Sequence, residues 1–243
     1  MKLTGESEHL DFLRDHYLDR PRFDVALDTS NQFEFTSNSG GTAAVADGVD
    51  EQVTLTPSTG TSDNDEAYLA SKYEKFKFLA DRPIHFEQDV QYAEANTDDA
   101  NVIIGFKDAV GADTLLNDGG GPAASYYGCV FFKVDGGTVW NAEVSIGGTQ
   151  YTKTLDADVA INNIAQTAGG SAFVKFEIDV YPKGGSSGGK FDAVFSIGGI
   201  PVAKFTDIDD GTPTEMQPFF GLKLGSAVQQ TIVGRPWMCY QKR

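Results

Sequence analysis

Residues 101–140 read NVIIGFKDAVGADTLLNDGGGPAASYYGCVFFKVDGGTVW. Two apolar runs, 102–106 and 127–134, flank a Gly-rich loop that carries Asp118-Gly119-Gly120-Gly121-Pro122. Asp135-Gly136-Gly137 then turns the chain toward Trp140. Short apolar runs bounded by Gly, Pro and Asp clusters read as strands. The stretch is therefore strand, long loop, strand, tight turn, strand. The triple Gly is not a phosphate loop, since neither Gly-Lys-Ser/Thr nor a helix follows it. Its glycines serve positive φ or a close backbone approach.

The same pattern continues on both sides. Ile84, Phe86, Gln88, Val90 and Tyr92 alternate with His85, Glu87, Asp89 and Gln91, the period of a half-buried strand. Val174, Phe176, Ile178 and Val180 alternate with Lys175, Glu177 and Asp179 in the same way. Gly147-Gly148 and Gly198-Gly199 are hairpin turns, and 183–190 (KGGSSGGK) is a hairpin loop too short to link domains. About a dozen such strands imply two packed antiparallel sheets. The expectation is an all-β protein: a two-sheet jelly-roll sandwich over residues 26–243, preceded by a short helical arm over 1–25. A chain of 243 residues buries roughly 70–75% of its unfolded surface and needs no staples.

The arm rests on local signals. Ser7 caps a helix running to about Asp19, Leu10, Leu13 and Tyr17 share one of its faces, and Arg20-Pro21 ends it. A helix this short is marginal alone in water. Its apolar stripe therefore docks on its own sandwich or on another chain.

The net charge of −16 argues against nucleic acid, which needs clustered Lys and Arg. No stretch approaches the ~20 apolar residues of a membrane span. The N-terminus MKLTGESEHLDFL lacks a signal-peptide apolar core, so synthesis and folding are expected in the cytoplasm, with the final location left open. Cys129 and Cys239 sit in apolar runs and read as buried thiols, with a disulfide as the alternative. Two Cys and three scattered His (His9, His16, His85) show no metal-site spacing.

Glu177 and Asp179 lie at i and i+2 of a strand, so they share a face with Cα atoms ~6.5–7 Å apart, and two carboxylates at that range could serve a retaining glycosidase. The laminarinase-like hydrolases, whose motif reads Glu-x-Asp-x-Glu or carries one bulged residue before the last Glu, are the relevant resemblance. Here Tyr181 and Pro182 occupy the last position, so the general acid/base is missing in both spacings. Asp207, Asp209 and Asp210 resemble a calcium loop in composition, yet counting from Asp207 puts Pro218 where an EF-hand needs Glu. With 63–66 and 96–101, this loop makes calcium the one cofactor left open. Asp118, Tyr126, Tyr127 and Trp140 are candidates for a sugar platform, the aromatics reading equally as core, and Trp237 reads as core. No Ser/His/Asp or Cys/His triad can be assembled.

The strings LLNDGGGPAASYYGCVFFKVDGGTVW, ANVIIGF and PFFGLKLGSAVQQTIV resemble tailed-bacteriophage virion proteins with a concanavalin-like (laminin-G-like) jelly-roll domain. The resemblance covers about residues 30–243 and departs from the family pattern at 231–235 (TIVGR). It implies a non-enzymatic capsid decoration or cement protein on the virion surface, bridging subunits of the major capsid protein as a homo-oligomer, a trimer by class. Leu10, Leu13 and Tyr17 would then bind the partner. The alternative is a lectin-like adhesion module binding glycan near Asp118, Tyr126 and Tyr127; a laminarinase-like hydrolase ranks below it.

Overall fold

A computed structural model of the protein describes residues 15–23, 26–46, 51–58, 62–93, 99–183 and 189–243. Among these are sixteen strands: β1 (His16–Asp19), β2 (Phe33–Ser37), β3 (Gly40–Ala46), β4 (Gln52–Ser58), β5 (Glu66–Ser71), β6 (Ile84–Tyr92), β7 (Ala100–Lys107), β8 (Tyr126–Lys133), β9 (Asn141–Gly147), β10 (Thr149–Thr154), β11 (Val174–Lys183), β12 (Lys190–Ile197), β13 (Ile200–Asp209), β14 (Gln217–Leu224), β15 (Ile232–Gly234) and β16 (Met238–Lys242). They form two antiparallel sheets, as expected. The seven-stranded sheet runs β10-β9-β8-β7-β14-β5-β2. The nine-stranded sheet runs β13-β12-β11-β6-β15-β4-β3, with β16 and β1 branching from β6.

The alternation in β6 and β11 sets the layers. Ile84, Phe86, Val90, Phe176, Ile178 and Val180 point inward and meet Val102, Ile104, Phe106, Cys129, Phe131 and Val144 of the other sheet. Trp237 is fully buried between Phe23 and Phe33, each ring centroid 5.9 Å away, and its indole N–H donates to Asp19. Both cysteines are buried free thiols, and burial pushes each thiol pKa up.

The expected helix does not reach Asp19. His16–Asp19 is a strand paired residue by residue with β16, and Phe23 joins the core. Backbone pairing with a sheet edge outweighs a helix too short to hold itself together. Tyr17, 47% exposed, lies beneath the Arg243 guanidinium at 4.8 Å rather than on a helical stripe. Leu10 and Leu13 lie outside the described residues. Among the described residues no helix is long and apolar enough to cross a membrane.

One irregularity positions the site. β15 and β16 pair with the same edge of β6, β15 at Val90–Tyr92 and β16 at 84–87. Arg235-Pro236 separates them, because Pro has no N–H for the ladder and bulges the chain out. Gln88 fills the gap by donating its side-chain amide to the Arg235 carbonyl at 3.0 Å. Beyond this break the sheet forks: β15 leads to β4 and β3, β16 leads to β1.

Candidate functional site

The outer faces of the two sheets differ. On the seven-stranded sheet, segment 108–125 folds back over β7, β8, β14 and β5. Val110 and Leu115 pack on Tyr68, Ile103, Tyr126, Val130, Phe132 and Phe219, forming a second apolar layer. This explains why β7 and β14 are buried along their whole length. Polar groups beneath the segment are consumed internally. Tyr126 donates its hydroxyl to Glu143 at 2.7 Å, and Glu143 also accepts from Thr152 and Gln150. Burial outweighs these hydrogen bonds and pushes the Glu143 carboxyl up. Lys223 and Glu66, both buried, pair at 3.3 Å, and Asp113 of the covering segment joins Lys223 at 2.8 Å. Leu115 N–H donates to the Tyr68 hydroxyl. This face is closed by its own chain.

The glycines act as the sequence suggests. Asp118 (φ 50°), Gly119 (φ 77°) and Gly121 (φ 73°) turn the tip of the segment. A Cβ at Gly119 would meet the Asp135 carbonyl at 3.0 Å. The exposed Asp118 carboxylate receives the Asn64 amide at 3.5 Å. Tyr126 and Tyr127 do not join it. They start β8, whereas Asp135 follows its other end, roughly 25 Å away for eight residues of extended chain. Tyr126 is buried and committed to Glu143, and Tyr127 faces Gly147 and Gly211 between the sheets. The three candidate glycan residues therefore form no common platform. Trp140 and Trp237 are core residues, 4% and 0% exposed.

The acidic loops separate in space. Asp63, Asp99 and Asp135 approach one another near Asp118; desolvation, then Asp99 and Asp63, raise the Asp135 carboxyl. Asp207 sits at the opposite end, on a positive-φ bulge (φ 57°), where its carboxylate takes Lys183 at 2.9 Å. Among the described residues no group of three or more His, Cys, Asp or Glu is arranged to hold a metal ion.

Among the described residues no segment covers the outer face of the nine-stranded sheet. β6 contributes His85, Glu87, Asp89 and Gln91; β11 contributes Lys175, Glu177, Asp179 and Tyr181. Register places Tyr240, His85, Asp179 and Val194 in one transverse row and Met238, Glu87, Glu177 and Ser196 in the next. Glu177 and Asp179 do share a face, as their spacing requires, but their partners differ. Asp179 accepts from His85 Nδ1 at 2.7 Å, and His85 Nε2 lies 3.7 Å from Glu87. Burial alone would lower the His85 pKa; the hydrogen bonds to Asp179 and Glu87 override it and raise it to about 9. His85 holds Glu87 at about 2, against desolvation and with help from Lys175 at 3.1 Å. Glu177 faces Glu87 across the ladder, and its Oε2 is buried with no hydrogen-bond partner.

Where the sheet forks, this face deepens. Two depressions of about 500 and 630 Å³ share Asp89 and Arg235. Arg20, Glu51, Glu87, Pro236 and Met238 line one. Phe173, Lys175, Glu177, Gly198 and Gly199 line the other. Arg235 bridges them, 3.4 Å from Asp89 and stacked on Phe173 at 4.1 Å. The result is one continuous groove with hydrogen-bonding walls and an amphipathic Arg–Phe shelf. Strand alternation made its polar walls legible in the sequence. The Arg235-Pro236 break that deepens it was the missed signal.

No protein-family model matches the chain, and no curated protein matches it. Solved structures do. The carbohydrate recognition domain of Emp47p superposes with a TM-score of 0.59 at 10% identity, covering 93% of this chain and 95% of that one. An endo-1,3-beta-glucanase from Streptomyces sioyaensis gives 0.57 at 13% identity, covering 93% and 95%. An endo-beta-1,4-glucuronan lyase from the fungus Trichoderma reesei gives 0.54 at 7% identity, covering 92% and 94%. The fold is thus a concanavalin-like jelly roll.

Proposed function

We propose that the protein is a carbohydrate-binding module that lays a neutral glycan across the groove on the outer face of the nine-stranded sheet. The observation carrying this reading is Glu177 Oε2, a buried carboxylate oxygen in an open groove with no donor of its own. Buried acceptors are satisfied in nearly all native structures; a turn of the Glu177 side chain toward the groove it lines would let a sugar hydroxyl supply the missing donor. The fold neighbours, a carbohydrate recognition domain, an endo-1,3-beta-glucanase and a glucuronan lyase by name, support the ligand class. The expected capsid role, with its major capsid protein partner and trimer, gains no support from these likenesses.

Charge selects among glycans. The groove lining holds Arg20, Lys175 and Arg235 against Glu51, Glu87, Asp89 and Glu177. Lys175 and Arg235 are paired with Glu87 and Asp89. A uronate chain would set its carboxylates against this acidic excess, whereas neutral hydroxyls donate to it. Binding fits better than cleavage: Glu87 is held ionised, and the carboxyls raised by burial, Glu143, Asp135 and Asp210, lie outside the groove.

The test is calorimetric titration with neutral gluco-, manno- and galacto-oligosaccharides and with oligoglucuronate. A neutral oligosaccharide should bind, and Glu177→Gln should weaken it roughly tenfold, the scale of a charge-assisted hydrogen bond. Preference for the uronate, or indifference to Glu177→Gln, would overturn the reading.

A further inference from the structure

A second cavity lies on the inner side of β11, between the sheets. It has a volume of about 190 Å³ and is lined by Tyr92, Trp140, Phe176, Val90, Val174 and Ile197, with Gln166, Thr167 and Gly169 along the segment that covers it. That segment is strapped down: Trp140 N–H donates to the Gln166 carbonyl at 2.9 Å, Gln166 N–H to Leu155 at 2.8 Å, and Ala168 N–H to Thr138 at 3.0 Å. The cavity is therefore walled by fixed backbone on one side and core rings on the other.

We propose that this cavity binds a small aromatic molecule, one or two fused rings carrying a single polar group. Size supports it: a protein cavity of about 150 Å³ has room for benzene, and this one is larger and opens to solvent beside Ala165 and Ala172. Wall chemistry supports it as well. Trp140 and Phe176 already meet edge to face at 4.8 Å, and an inserted ring extends such packing. Gln166 and Thr167 of the covering segment add polar side chains to the lining, beside the polar edges of Tyr92 and Trp140, so a polar substituent can be satisfied there. A planar ring fits the gap between the covering segment and the core rings better than a sugar, whose many hydroxyls would leave some facing rings without a partner. This site is independent of the outer groove and of the glycan reading.

Calorimetric titration of the intact protein with indole tests it, with glucose as the control. Saturable indole binding with a Kd below about 1 mM is expected, together with no response to glucose. Ala165→Phe, on the covering segment, should weaken indole at least tenfold without changing the fold, and Ala172→Phe serves if the first variant does not fold. Absence of saturable binding would overturn the proposal, as would undiminished binding in a folded variant.

Discussion

His85 shows how one residue sets the electrostatics of the open face. Its pKa is raised to about 9 from 6.5 by Asp179 and Glu87, against the cost of burial. A raised folded-state pKa contributes stability that is complete below the unfolded value and is lost as pH climbs through the folded one. The His85 contribution should therefore fade between pH 6.5 and about 9. Glu87 behaves oppositely: its contribution is present above 4.5 and lost as pH falls through about 2. NMR titration of the imidazole should find it protonated at neutral pH. Asp179→Asn should lower its pKa by at least about one unit, since 1.36 kcal/mol of lost interaction shifts a pKa by that much. An unchanged titration would mean that Asp179 is not the controlling partner. Little of this was legible beforehand. The alternation around His85 placed it on a polar face, but cross-strand register, which no local pattern encodes, chose Asp179 as its partner.

At the level of elements, segment 108–125 carries the largest difference between sequence and structure. Its Asp and Gly residues read as a functional loop, and its flanking apolar runs read correctly as strands. A run buried on both faces looks like continuous hydrophobicity, and here the second covering layer is the loop itself. Val110 and the Leu115-Leu116 pair, apolar residues in a stretch rich in Asp and Gly, were the available clue. Leu115 is fully buried against the sheet, so Leu115→Ala should cost about 2–5 kcal/mol in denaturant unfolding. A loss below about 1 kcal/mol would show the segment to be only loosely seated. The N-terminal segment makes the complementary point. Helical spacing reached Tyr17, but the free edge of β16 supplied a better use for His16–Asp19.

For the molecule as a whole, two-residue periodicity and Gly-Gly turns sufficed to anticipate two antiparallel sheets. The fork at Arg235-Pro236 depends on strands far apart in sequence meeting in space, β1 against β16 and β15 against β4. Among the described residues the forked sheet keeps its outer face open, while the 108–125 segment seals the other. Hydrogen exchange with and without a bound neutral oligosaccharide tests this division most directly. New protection should fall on Asp89, Lys175, Glu177 and Arg235 in the groove of the nine-stranded sheet. Protection confined instead to Asn64, residues 117–120 and Asp135 would contradict it and move the glycan to the loop end around Asp118.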